Sequence, residues 1–152
     1  MSLVSGEDPL LHRRIDRTEL DKAALVEVVQ GMLGTMLVEG GVGLAANQVG
    51  LDLRIALVKE VPTDNVMVLV NPEIIKKGAV TSVKNEGCLS YPGKVVLVER
   101  SNKIMVKYQD LHGADLIANF SGYVARIIQH EVDHLNGITI LDRNKEYERS
   151  RL

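Results

Sequence analysis

The chain has 152 residues, 45% of them hydrophobic, and 18 Lys and Arg against 20 Asp and Glu leave a net charge of −2. That length can bury a core and predicts a single catalytic domain over residues 1–152. The charge balance gives no reason to expect nucleic-acid binding, no apolar run approaches a membrane span, and Met1 to Arg14 lacks the apolar stretch of a signal peptide.

In chain order, Thr18-Glu19-Leu20-Asp21 reads as a capping box that opens a helix running to about Glu39. Leu25, Val28, Val29, Met32, Leu33, Met36 and Leu37 recur at helical spacing, so one side of it should pack inward. Gly40 and Gly41 end this helix. The middle of the chain is rich in β-branched and aliphatic residues, predicting strands at 54–58, 66–70, 95–99, 104–108 and 116–120. Asn71-Pro72 and Asp110-Leu111-His112-Gly113 are turn signals between them. Ser121 can cap a second helix that Asn136-Gly137 would end. The charged segment from Arg143 to Leu152 is expected to fray, and deletion of 144–152 should leave activity nearly unchanged. The class is α+β: antiparallel strands around a central helix, with the N-terminal helix packed alongside. With no Trp and one Phe, its core must be mostly aliphatic.

The second helix carries His130-Glu131-Val132-Asp133-His134. Histidines four residues apart on a helix lie a turn apart on one face, so both imidazoles can reach one metal ion. Glu131 beside them can take a proton from a water activated by that ion. Its neighbours Val124, Ile127 and Ile128 are apolar, which should raise its pKa and suit it to shuttle a proton. Surface histidines are the bland alternative. Cys88, the only cysteine, sits in Glu86-Gly87-Cys88-Leu89-Ser90 and offers a third ligand, leaving a fourth position open as in catalytic sites. A lone cysteine can equally be a small buried hydrophobe, or the nucleophile of a Cys/His pair. A third segment, Gly41-Val42-Gly43-Leu44-Ala45-Ala46-Asn47-Gln48, is a loop that a ligand could approach closely. It is not a dinucleotide fingerprint, because the third glycine is absent and the run follows a helix. His12 and His112 fall in exposed segments and are left out of the site.

Taken together and in this order, the three segments resemble the peptide deformylases, whose G-x-G-x-A-A-x-Q, E-G-C-x-S and H-E-x-x-H patterns have every fixed position filled here. The similarity runs from about Asp8-Pro9 to Asp142, with departures at Tyr91-Pro92-Gly93-Lys94 and in a short C-terminus. The resemblance implies removal of the N-formyl group from formyl-methionine at the start of nascent peptides, with release of formate. It implies Cys88, His130 and His134 as ligands of one divalent ion. Fe²⁺ is the expected ion in the cell, with Zn²⁺, Ni²⁺ or Co²⁺ also accepted. Glu131 would be the proton shuttle, and the Gln48 amide and Leu89 backbone N–H the oxyanion donors. A methionine pocket should be apolar, and Val42, Tyr123 and Ile127 are its expected walls, with core packing as the alternative. Gly43, with the Gly87 region, could let an extended peptide pair with the enzyme backbone.

Glu86, Arg100 and Asp133 would be misplaced near an apolar site unless they pair, so Arg100 is expected to bridge Glu86 and Asp133; three solvated charges are the alternative. A zincin-type peptidase is the nearest rival, but such enzymes place their third ligand downstream, where only a short tail follows Gly137. A non-catalytic metal- or peptide-binding domain is the other rival, and it would need neither Glu131 nor Gln48. Expected partners are formyl-methionyl nascent peptides and, weakly if at all, the ribosome, with no direct nucleic-acid or membrane contact and the chain acting as a monomer. One cysteine and no disulfide framework fit the cytoplasm or an equivalent reducing compartment, organellar or viral origin being left open.

Overall fold

The computed structural model describes residues 1–152. Its strands are β1 (Gly43–Ala45), β2 (Ile55–Lys59), β3 (Val66–Lys77), β4 (Thr81–Gly87), β5 (Val95–Ser101), β6 (Lys103–Gln109) and β7 (Asp115–Ser121). Three helices accompany them: α1 (Lys22–Val38), α2 (Gly122–Leu135) and α3 (Ile140–Ser150). Five strands form one antiparallel sheet in the order β1-β2-β3-β6-β7, and β4 pairs with β5 in a separate ribbon. The class is α+β, as expected.

Alternation along β2 explains how the layers stack. Successive strand residues face opposite sides, so Ala56 and Val58 meet Ala125, Ile128 and Val132 of α2, whereas Ile55 and Leu57 meet Leu25, Val29, Met32 and Met36 of α1. Apolar residues on both sides of one strand therefore place a helix against each face of the sheet. The α2 helix is buried on most of its circumference, from Ala125 through Leu135, which holds its side chains in fixed positions.

Several boundaries differ from the sequence reading, each for a physical reason. The cap of α1 is Asp21, whose carboxylate accepts from the Ala24 N–H at 2.8 Å. Thr18 is instead buried, its hydroxyl accepting from the Arg54 N–H at 2.6 Å. The far end of α1 closes as expected: Gly40 takes a left-handed φ of 68° and the Gly41 N–H bonds to Met36 O at 2.9 Å. Asn71-Pro72 does not end β3. Asn71, at φ 53°, lies in a register shift between Val70 and Glu73, where a bulge tolerates the N–H that proline lacks. The Asp110–Gly113 turn closes the β6–β7 hairpin, with Gly113 at φ 82°.

Arg143 to Leu152 does not fray. Thr139 and Asp142 cap each other reciprocally at the start of α3, Ile140 is buried, and the Asn144 amide donates to Leu97 O on β5 at 3.0 Å. Tertiary packing supplies what an isolated helix of this length lacks.

Candidate active site

The turn after α1 leads into β1 and then a single 3-10 turn, Ala46–Val49, which carries Asn47 and Gln48 inward. Both are fully buried and anchored. Gln48 Oε1 accepts from the Ala45 N–H at 2.9 Å, which fixes the amide so that Nε2 donates to Ser90 Oγ at 3.0 Å and points at Cys88 Sγ, 3.6 Å away. Asn47 Nδ2 donates to His134 O at 2.6 Å and Leu10 O at 3.2 Å, tying the glycine loop and the N-terminal segment to α2. Sequence reasoning did not single out Asn47, although it lies inside the motif.

Cys88 follows the end of β4, and a turn closed by Tyr91 N–H to Cys88 O at 3.0 Å holds it against α2. There it meets the two histidines: one donor atom each from Cys88, His130 and His134 lies within 4.8 Å of the others, and Cys88 Sγ is 3.2 Å from His134 Nε2. A thiol and two imidazoles converging at this range fit a single divalent ion. Burial, reinforced by the charges of His130 and Arg100, holds the His134 pKa well below its ordinary value, which favours the neutral ring a metal ligand needs.

Glu131 lies beside this cluster with its Oε1 buried and without any hydrogen-bond partner. Burial pushes its carboxyl up to about 7, against the opposing pull of His130. A group poised near neutrality can both take and return a proton. It opens on a cleft of about 570 Å³ lined on one side by Gly41, Val42 and Gly43 and on the other by β4 from Lys84 to Gly87. Leu89 and Gln48 also line it. Ile127 and Val42 serve the core and the cleft at once, whereas Tyr123 stands half exposed at the mouth. Beside Gly43, the backbone passes so close to Glu131 that a Cβ would be 2.3 Å from Oε2.

Behind Cys88, His130 and His134, buried charges pair. His130 Nδ1 donates to Glu86 Oε1 at 2.9 Å, fixing which ring nitrogen is left for an ion. Arg100 grips Glu86 through Nε and Nη2, each at 2.9 Å, and reaches Asp133 through Nη1. Arg100 thus spans Glu86 and Asp133, with only 3% of its side chain exposed. Burial would raise the Glu86 pKa, but the His130 and Arg100 hydrogen bonds outweigh it and hold the carboxyl down at about 2. Two further arginines join, neither singled out from sequence. Arg126 Nε is 3.0 Å from Glu86 Oε2, and Arg143 grips Asp133. A charge on the apolar face of α2 was the visible signal for Arg126; Arg143 gave none, because it lies in a charged segment whose composition does not show that it docks on α2.

An H-E-x-x-H helix with a thiol donor from the turn after β4 and a buried carboxyl near neutrality defines a hydrolase of the metal-dependent class. Residues 1–150 match the model of the polypeptide deformylase family. Peptide deformylases of Dictyoglomus thermophilum and Thermotoga neapolitana are 45% and 42% identical, over 91% and 93% of this chain and 89% and 85% of theirs. The solved structure of the Thermotoga maritima peptide deformylase superposes with a TM-score of 0.89 at 39% identity, covering 93% of this chain and 95% of that one. A class I type b peptide deformylase of Acinetobacter baumannii, solved bound to Met-Ala-Ser, gives 0.89 at 35% identity over 94% and 97%. The chain belongs to the polypeptide deformylase family, a family of metalloenzymes. It removes the N-formyl group from formyl-methionine at the start of nascent peptides and releases formate. No helix is long and apolar enough to cross a membrane.

Proposed function

We propose that residues 1–152 act as one catalytic domain in which Cys88, His130 and His134 hold a single divalent ion, Fe²⁺ in the cell, and Glu131 moves the proton. The observation that carries this reading is the convergence of three donor atoms within 4.8 Å beside a buried carboxylate oxygen that has no partner. When bound, the ion would supply a Lewis acid and make a water easier to deprotonate. Everything else falls to the chain. Glu131 takes a proton from the attacking water and delivers it to the nitrogen of the departing amine, breaking the C–N bond to give formate. Gln48 Nε2, fixed by Ala45, and the Leu89 N–H donate to the oxyanion of the tetrahedral intermediate.

For the substrate, β1 is the outer strand of its sheet, pairing only with β2, and its free edge faces the cleft. A formyl-methionyl peptide extended along Gly41 to Gly43, opposite the Gly87 end of β4, adds a strand there. Its methionine side chain lies against Val42, Ile127 and Tyr123. Glu86, Arg100 and Asp133 hold the ligand set in place. The location that fits an oxidation-prone ferrous thiolate site is the cytoplasm, with the chain acting as a monomer and any contact with the ribosome weak. The test is formyl-Met-Ala-Ser with the Fe²⁺ or Ni²⁺ enzyme: formate and free Met-Ala-Ser are expected. Cleavage between residues of the peptide, or no formate with metal bound, would overturn the reading.

A further inference from the structure

Asp133 is a buried carboxylate with three donors, and two of them come from one residue on another helix. Arg143 Nη2 donates to Oδ1 at 2.8 Å and Arg143 Nε to Oδ2 at 2.9 Å, a bidentate grip; Arg100 Nη1 supplies the third. From Arg100 the contacts continue to Glu86 and on to His130 Nδ1. Positive and negative groups alternate along this path, which links α3, α2, β5 and β4. We infer that Arg143 is a positioning residue for the metal centre, acting through Asp133, Arg100 and Glu86 on the ring of His130. The inference rests on the proposed assignment of Cys88, His130 and His134 as the ligands.

A buried carboxylate stripped of two donors cannot stay unpaired cheaply. Asp133 would draw Arg100 toward itself, and the same guanidinium that moves is the one holding Glu86. Glu86 in turn fixes the tautomer and tilt of His130, so the loss arrives as a looser ligand. Arg143 does not hold α3 together: the Thr139–Asp142 cap and buried Ile140 do that. Its side chain is 22% exposed, so replacement opens no sealed cavity.

Arg143→Met keeps the aliphatic stem and should fold. Its affinity for Co²⁺, measured by chelator competition and by the thiolate-to-Co²⁺ absorption band, should fall about 10-fold or more, the usual scale for a group behind a ligand. The band should shift as the ligand set loosens, and Arg143→Lys should recover only part of the affinity, since an ammonium cannot grip both oxygens. In an Asp133→Asn background the same Arg143→Met change should move Co²⁺ affinity less than about twofold, because the link is already cut. A merely structural role would lower the melting temperature and leave affinity and band unmoved. Wild-type affinity and spectrum in Arg143→Met, or an undiminished effect in the Asp133→Asn background, would overturn the inference. A folded wild-type chain that binds no Co²⁺ would instead overturn the ligand assignment itself.

Discussion

Gly43 and Glu131 touch without a side chain between them: a Cβ on Gly43 would stand 2.3 Å from Glu131 Oε2 and 2.9 Å from Ile127 Cγ2. Real Cβ atoms essentially never come that close, so the glycine marks where the free edge of β1 meets the carboxyl proposed to carry the proton. Gly43→Ala should therefore push Glu131 off its position while leaving Cys88, His130 and His134 alone. The expected result is a drop of about 10²-fold in kcat/KM, typical of an ångström-scale misplacement. Metal content should be unchanged. Steady-state kinetics beside metal analysis checks it, and turnover near wild type would show that the carboxylate can move freely.

Glu131→Gln separates proton transfer from metal binding. The amide keeps the volume of the buried side chain but cannot accept and return a proton. Turnover should fall by about 10²–10⁴-fold, the range of a general acid/base, with one ion still bound per chain. Loss of the ion along with activity would place Glu131 among the ligands instead.

Glu86 predicts how stability depends on acid. Its carboxyl titrates at about 2 in the fold against an ordinary 4.5, so the unfolded chain binds the proton first. Its contribution is complete above pH 4.5 and is lost as the pH falls toward 2. Asp133, also lowered, adds in the same direction: burial opposes its ionisation, and the Arg143 and Arg100 contacts overcome it. Urea unfolding at a series of pH values should show the wild type losing stability below that point. Glu86→Gln should be less stable at neutral pH, with a shallower slope in the acid range. Parallel slopes would mean that Glu86 titrates normally.

The C-terminal helix should prove necessary. Thr139→Ala removes the hydroxyl that accepts from the Asp142 N–H, at a cost of about 1 kcal/mol for a lost cap. Deleting 144–152 does more, because it leaves one turn of α3 and releases the Asn144 contact to Leu97. Lower melting temperatures are expected for both, with the deletion the worse. A deletion variant as stable as wild type would return the segment to the frayed state its charge suggested.

What could be read from sequence follows from where the physical signal lies. Runs of β-branched and aliphatic residues in Ile55–Lys59 and in Lys103–Gln109 marked β2 and β6, because each buries at least one face. Thr81–Gly87 is β4 yet escaped notice: it belongs to a two-stranded ribbon, none of its residues is fully buried, and its composition is that of a loop. The pairing of Arg100 with Glu86 and Asp133 was legible because unpaired charges beside an apolar site are costly. Arg143 was not, because a charged tail looks the same whether solvated or docked. The Thr139-to-Asp142 spacing was a cap signal in plain view; with little apolar surface after it, the segment read as coil.

Cys88 is the chain's only thiol. Any thiol-directed reagent therefore has one address, half-buried in the Cys88, His130 and His134 cluster proposed to hold the ion. A thiol count becomes a direct reading of the fraction of centres left intact, with no second sulfhydryl to confuse it. The same economy leaves the molecule undefended: no other cysteine in it can be oxidised first, so its first thiol oxidation strikes the centre itself.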